Sequence, residues 1–130
     1  CTAHHHYGNG DNVPYRKAHY NHPSTKWVRE SDEHYNWLFD HMVALGHEYT
    51  KRYGKTHLTI NKCFLPLYRI PVGIPSNGFT PPPQCMPDEY KDELTTTAYW
   101  NYYISEKHTV ANKDECIYKE IPWVKLGIIF

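Results

Sequence analysis

The sequence predicts an all-α fold, a compact bundle of two long and several short helices with a long proline-rich surface loop. Three observations predict it. Apolar and aromatic residues recur at steps of three and four over Ser31 to Tyr53, the spacing that lines one face of a helix. A second such run extends from Thr95 to Lys107. Six of the ten prolines fall between Pro71 and Pro87, where neither a continuous helix nor an inner strand can form.

The elements follow in order. Cys-Thr-Ala-His-His-His-Tyr at the start reads like the tail of a helix entered midway. It suggests that the chain is the carboxyl-terminal portion of a longer protein, and three histidines near a helix end suit its negative pole. Gly8 to Pro14 is a loop of residues that tolerate positive φ. Tyr15 to Asn21 is expected as a short helix that stops before Pro23. Pro23 then opens another short helix through Trp27 and Val28, since its missing N–H costs nothing in a first turn.

Ser31 is expected to cap the long helix, with Asp32 and Glu33 at its positive end and Gly54 closing it in the left-handed position. Tyr35, Leu38, Met42, Leu45 and Tyr49 form its predicted core face, with Phe39 and Tyr53 beside them. His34, Asp40, His41, His47 and Lys51 fall on other faces. Thr56 to Leu67 is a further helix, with Leu58, Ile60, Cys63, Phe64 and Leu67 apolar. In the proline-rich stretch, Ile74, Phe79 and Met86 suggest a loop pinned to the surface. Pro87 to Lys91 reads as a helical turn, and Thr95 or Thr96 as the cap of the second long helix. The apolar tail, Lys119 to Phe130, is expected to dock on the domain.

The length of 130 residues suits one domain, residues 1–130, with a core that needs no staples. Twelve Tyr, four Trp and four Phe supply much of that core. Formal charge is balanced, so any nucleic-acid contact requires a local patch. No apolar run approaches the roughly 20 residues of a membrane span. Cys1, Cys63, Cys85 and Cys116 lack zinc-knuckle spacing and read as thiols.

Four constellations could carry chemistry. The ten histidines suggest a metal site, but His47-Glu48 lacks the second imidazole one turn on. His34 and His41 lie about 10 Å apart along the axis. No metal ligand or cofactor is therefore assigned. Cys63, Cys85 and Ser24 are potential nucleophiles, with no nucleophile elbow around them. Asp88 and Glu89 could act as a general base, or cap a turn. Most specific are the segments flanking the long helix, His22 to Ser31 and Tyr49 to His57. Lys26, Arg29, Arg52, Lys55 and His57, with Trp27 and Tyr53, have the chemistry for phosphates and stacked bases. The nucleic-acid-binding set expected from them is Lys26, Trp27, Arg29, Arg52, Lys55 and His57, lining one cleft. The ordinary alternative is dipole complementation at a helix end and an internal pair of Arg29 with Glu30 or Glu48.

These motifs resemble a family of small bacteriophage proteins common in marine phages. His-Pro-Ser-Thr-Lys-Trp-Val-Arg-Glu-Ser (22–31), Tyr-Asn-Trp-Leu (35–38) and Glu-Tyr-Thr-Lys-Arg-Tyr-Gly-Lys-Thr-His (48–57) carry the resemblance. So do the stretches 79–91 and 98–107. The family is itself likened to pyrimidine-dimer DNA glycosylases of the endonuclease V type. The resemblance implies an all-helical DNA-repair protein in the cytoplasm of an infected bacterial host, with double-stranded DNA as partner. Its chemistry would be covalent catalysis by an α-amine, aided by a glutamate, on a flipped nucleotide. Relatives carry those groups in a stretch preceding the part that matches Cys1, so no catalytic residue is assigned here. Two other classes stay open. One is a non-enzymatic helical interaction module, for instance a homodimer, using the proline-rich loop. The other is a histidine-based metal-binding protein.

Overall fold

Short backbone signals set the helices of this all-α protein, and distant side chains tie them together. The structure is a computed structural model and describes residues Cys1–Lys107. The predicted tail, Cys116 included, lies outside the described residues. Among the described residues there is no strand. The chain packs as two units, Cys1–Thr80 and a second that begins at Pro81.

In the first unit, α1 spans Thr2–His6. The expected helix over Tyr15 to Asn21 is absent. Its backbone groups are taken from outside: the Thr2 hydroxyl donates to Ala18 O (2.9 Å) and accepts from Ala18 N–H (3.1 Å), and His5 Nε2 donates to Tyr15 O. His19 also takes a positive φ of 47°, which no α-helix accommodates.

Helix α2 spans Pro23–Glu30, with Pro23 in its first turn and the His22 imidazole accepting from Ser24 N–H. Helix α3 spans Asp32–Tyr53, and Gly54 closes it at φ 66° with its N–H on Thr50 O. Ser31 stands at the cap position, but its hydroxyl does not cap α3. It accepts instead from Asn77 N–H (3.2 Å), while Asp32 N–H donates to Pro75 O (2.9 Å). Asn77 Nδ2 donates to Glu30 O, and the Ser76 hydroxyl to the Asp32 carboxylate. The proline-rich loop thus supplies the polar partners of the α2–α3 junction, which is how it is pinned.

Helix α4 spans Leu58–Tyr68, starting where the His57 imidazole accepts from Thr59 N–H. It packs on α3 through Phe39, Phe64 and Tyr68. The buried residues of α3 are His34, Tyr35 and Gly46. Leu38 and Leu45 of the predicted stripe stay 40% and 38% exposed, so the face that packs is rotated from the one periodicity selects. Gly46 explains the close approach: a Cβ there would stand 2.6 Å from Ile60 Cγ1 and Cδ1. Gly46→Leu is therefore expected to cost about 1–3 kcal/mol by overpacking. Gly46→Ala should cost less, because about 1 kcal/mol of helix propensity offsets its clash. Urea unfolding of the two variants checks this, and a Gly46→Leu protein as stable as the parent would refute it.

The second unit begins with the proline run. A single turn at Asp88–Tyr90 precedes α5, Thr95–Tyr102, which continues as a π-helical turn over Tyr103–Lys107. Leu94, not a threonine, holds the cap position. The Thr95 hydroxyl donates to Pro82 O, and the Tyr99 hydroxyl donates to Pro83 O. Prolines have no N–H to offer, so their carbonyls are what the helix can engage. Gln84 and Asp92 exchange two hydrogen bonds across the turn. Tyr90 donates to Glu106, which pushes its phenol up to about 12.

Candidate nucleic-acid interface

Two of the sequence-selected residues are built into the interior of the first unit. Trp27 is 6% exposed. Its indole stacks on His34 with ring centres 4.2 Å apart, and Trp37 and Phe79 meet it edge-on. Its N–H donates to Thr80 O at 3.0 Å. His34 completes the clamp: Nδ1 donates to Trp27 O, and Nε2 accepts from Thr80 N–H. A carbonyl can only accept and an amide can only donate, so these partners fix a neutral imidazole protonated at Nδ1. Arg29 is 9% exposed. Its Nη1 donates to Tyr20 O at 2.7 Å and its guanidinium lies 4.0 Å from the Tyr20 ring centre.

The remaining selected residues lie elsewhere. Lys26 is exposed on α2. At the far end of α3, Arg52 pairs with Glu48 one turn back, Lys55 is exposed and His57 caps α4. From His34, against which Trp27 stacks, to Arg52 is about 27 Å of helix. The six residues therefore do not line one cleft, and the expected meeting of the two flanking segments does not occur.

A different grouping does form. Lys17 Nζ stands 5.0 Å from the centre of the Tyr20 ring that Arg29 also faces. The Tyr20 hydroxyl pairs with His6 Nδ1 at 2.6 Å. Lys62 of α4 lies over the ring of Tyr15 at 5.7 Å. Arg16, Lys17, His19 and His22 are all exposed. Among the described residues, no carboxylate lies within salt-bridge range of Lys17 or Arg29. The signal was present in the sequence: residues 1–29 hold Arg16, Lys17, Lys26 and Arg29 against Asp11 alone, in a chain of zero formal charge. A whole-chain balance hides that segregation. Cationic side chains laid on one exposed ring, Tyr15, and one half-buried ring, Tyr20, are the materials of a strand-tracking surface.

The interior of this unit carries titratable groups held neutral. The Tyr35 hydroxyl donates to Leu67 O (2.9 Å) and accepts from His4 Nε2 (2.8 Å). Burial pushes up the Tyr35 phenol and the Cys63 thiol, which makes Cys63 an inert thiol rather than a nucleophile. Burial, with the amino terminus and His5 adding repulsion, holds His4 below the ordinary histidine range. Burial alone does so for His41, whose Nδ1 has no hydrogen-bond partner among the described residues. Both take up a proton at lower pH in the fold than in the unfolded chain, which does so near pH 6.5. Stability is thus whole above about pH 6.5 and declines as pH falls from there to the lowered folded values. Thermal melts should show Tm dropping over that window, with a shallower drop in His4→Gln/His41→Gln; an unchanged profile in the double variant would contradict the assignment.

Among the described residues, no three His, Cys, Asp or Glu side chains gather as a metal ion requires, and no helix is long and apolar enough to cross a membrane. Comparison with protein-family models, with characterised proteins and with solved structures gives no match.

Proposed function

We propose that this chain is a DNA-binding protein of the DNA-processing kind, as the resemblance to glycosylase-like phage proteins implies. In this reading it contacts the duplex through the segment from Tyr15 to Arg29 and through Lys62. One observation carries this: Lys17 and Arg29 converge on Tyr20 and Lys62 on Tyr15, in a region that holds a single acid up to Arg29. Phosphate contacts supply sequence-independent affinity that weakens with salt, at a slope of about 0.9 per contact. With three or four contacts, affinity for duplex DNA should fall roughly 40- to 150-fold between about 50 and 200 mM salt. Fluorescence anisotropy measures it. Absence of binding at low salt, or binding indifferent to salt, removes the reading. Borohydride trapping on ultraviolet-irradiated duplex tests the chemistry separately. A damage-specific adduct supports glycosylase–lyase activity, whereas binding without an adduct leaves a binding protein only.

A second reading, a helical interaction module, has its own observation. Leu58, Leu65, Tyr68 and Val72 are 59–80% exposed on α4 and just beyond it. Apolar groups gathered so openly mark partner surfaces. Self-association as a homodimer, measured by sedimentation and abolished by Leu65→Glu/Tyr68→Glu, would support it; a monomer at all concentrations would not.

A further inference from the structure

The partners of Arg29 leave something unexplained. A guanidinium offers five N–H donors, and among the described residues one donates, to Tyr20 O. Burying a positive group without an opposite charge is costly, yet its charge meets the ring of Tyr20, the Tyr7 phenol and Lys17, a second cation, with no carboxylate in salt-bridge range among the described residues. The guanidinium nitrogens that Tyr20 leaves unused are not among the buried atoms that lack a partner, so that edge of Arg29 reaches solvent. Lys17 and Arg29, at 5.0 and 4.0 Å from one ring centre, stand no more than 9 Å apart. His6, bonded to the Tyr20 hydroxyl, fixes the ring that carries both cations.

We infer that Lys17, Arg29 and Tyr20 form a socket for one phosphate group. As a biological site it rests on the DNA-binding reading, and the group is then a terminal phosphomonoester or an internal phosphodiester of a strand. Arg29 supplies a planar pair of donors suited to two phosphate oxygens, and Lys17 a point charge beside it. The phosphate offsets the repulsion between the two cations. The tyrosine ring holds them in place before the ligand arrives, which lowers the ordering cost of binding.

The test is a titration of the whole chain, followed by side-chain nuclear magnetic resonance at Arg29 and Tyr20. Inorganic phosphate is compared with sodium chloride of equal ionic strength. A short DNA duplex is then compared with and without a 5′-phosphate. Saturable shifts at both residues with phosphate, weakened about 5- to 10-fold by Lys17→Gln and restored by Lys17→Arg, are expected. Shifts from the phosphorylated duplex alone identify a terminal monoester, and equal shifts from both duplexes an internal diester; either outcome supports the socket. No shift beyond that of chloride overturns it. If phosphate saturates the site and neither duplex does, the anion site stands and the DNA reading fails. If DNA binds and leaves Arg29 and Tyr20 unshifted, the socket fails and the DNA reading stands.

Discussion

Trp27→Ala is expected to lower the unfolding free energy by about 3–5 kcal/mol, the range for emptying a buried aromatic site. The side chain does three things at once. It fills the space between His34, Trp37 and Phe79. It presents a flat face to the His34 imidazole. Its N–H satisfies Thr80 O. Truncation removes all three and leaves a carbonyl without its donor, worth about 1–3 kcal/mol where no water replaces it. Trp27→Phe keeps the aromatic body and loses the N–H, so it should cost only that second share. Urea unfolding of both variants measures the difference. Trp27→Ala within 1 kcal/mol of the parent would mean that the clamp does not organise the first unit. A double variant with His34→Ala should lose less than the two single losses combined, because both residues grip the same Thr80.

That clamp also shows why the sequence was legible in some places and not in others. Helix α3 was readable because its signals are local. Asp32 and Glu33 sit at one end, Gly54 at the other, and apolar residues recur along it. Pro23 marked α2, and the prolines from Pro71 to Pro87 marked the irregular stretch, for equally local reasons. The partners of those elements are remote in sequence. Thr80 is 46 residues from the His34 imidazole it donates to, and Asn77 is 46 from the Ser31 hydroxyl. Periodicity names an apolar face, but a buried imidazole with two good partners serves as core as well as a leucine does. His34 was accordingly misplaced on an outer face, and Leu38 and Leu45 on an inner one. Tyr15 to Asn21 failed for a similar reason, since Thr2 and His5 satisfy its backbone from another element.

The candidate site divides along the same line. Lys26, Arg29, Arg52, Lys55 and His57 have suitable chemistry as residue types, and that much is visible in order along the chain. Which of them meet is a property of the packed helices. Arg29 turns inward to Tyr20, Arg52 is occupied by Glu48 and His57 by the start of α4. Lys17 and Lys62, which were not selected, reach aromatic rings instead. The acid-poor stretch from Asn12 to Arg29 was the one sequence signal that pointed there.

A matched pair of charge reversals decides between the two surfaces. Arg16→Glu/Lys17→Glu should weaken duplex binding roughly 30- to 100-fold at about 0.1 M salt, from about 1 kcal/mol per lost phosphate contact plus new repulsion. The salt slope should shrink by about 1.8 for the two contacts removed. Lys51→Glu/Lys55→Glu changes net charge by the same amount at the opposite end of α3. Long-range attraction to DNA suffers equally in both proteins, so the difference between them reports on contact alone. Only a small loss, about 3-fold or less, is expected for the second pair, because a screened surface charge acts over about 10 Å at ordinary salt. All four side chains are exposed, so neither variant should shift the thermal midpoint, and that measurement guards against a loss caused by unfolding. Equal losses in the two proteins would reduce the effect to net charge and leave the Tyr20 surface without a special role. A larger loss in the Lys51/Lys55 protein would return the DNA contact to the end of α3.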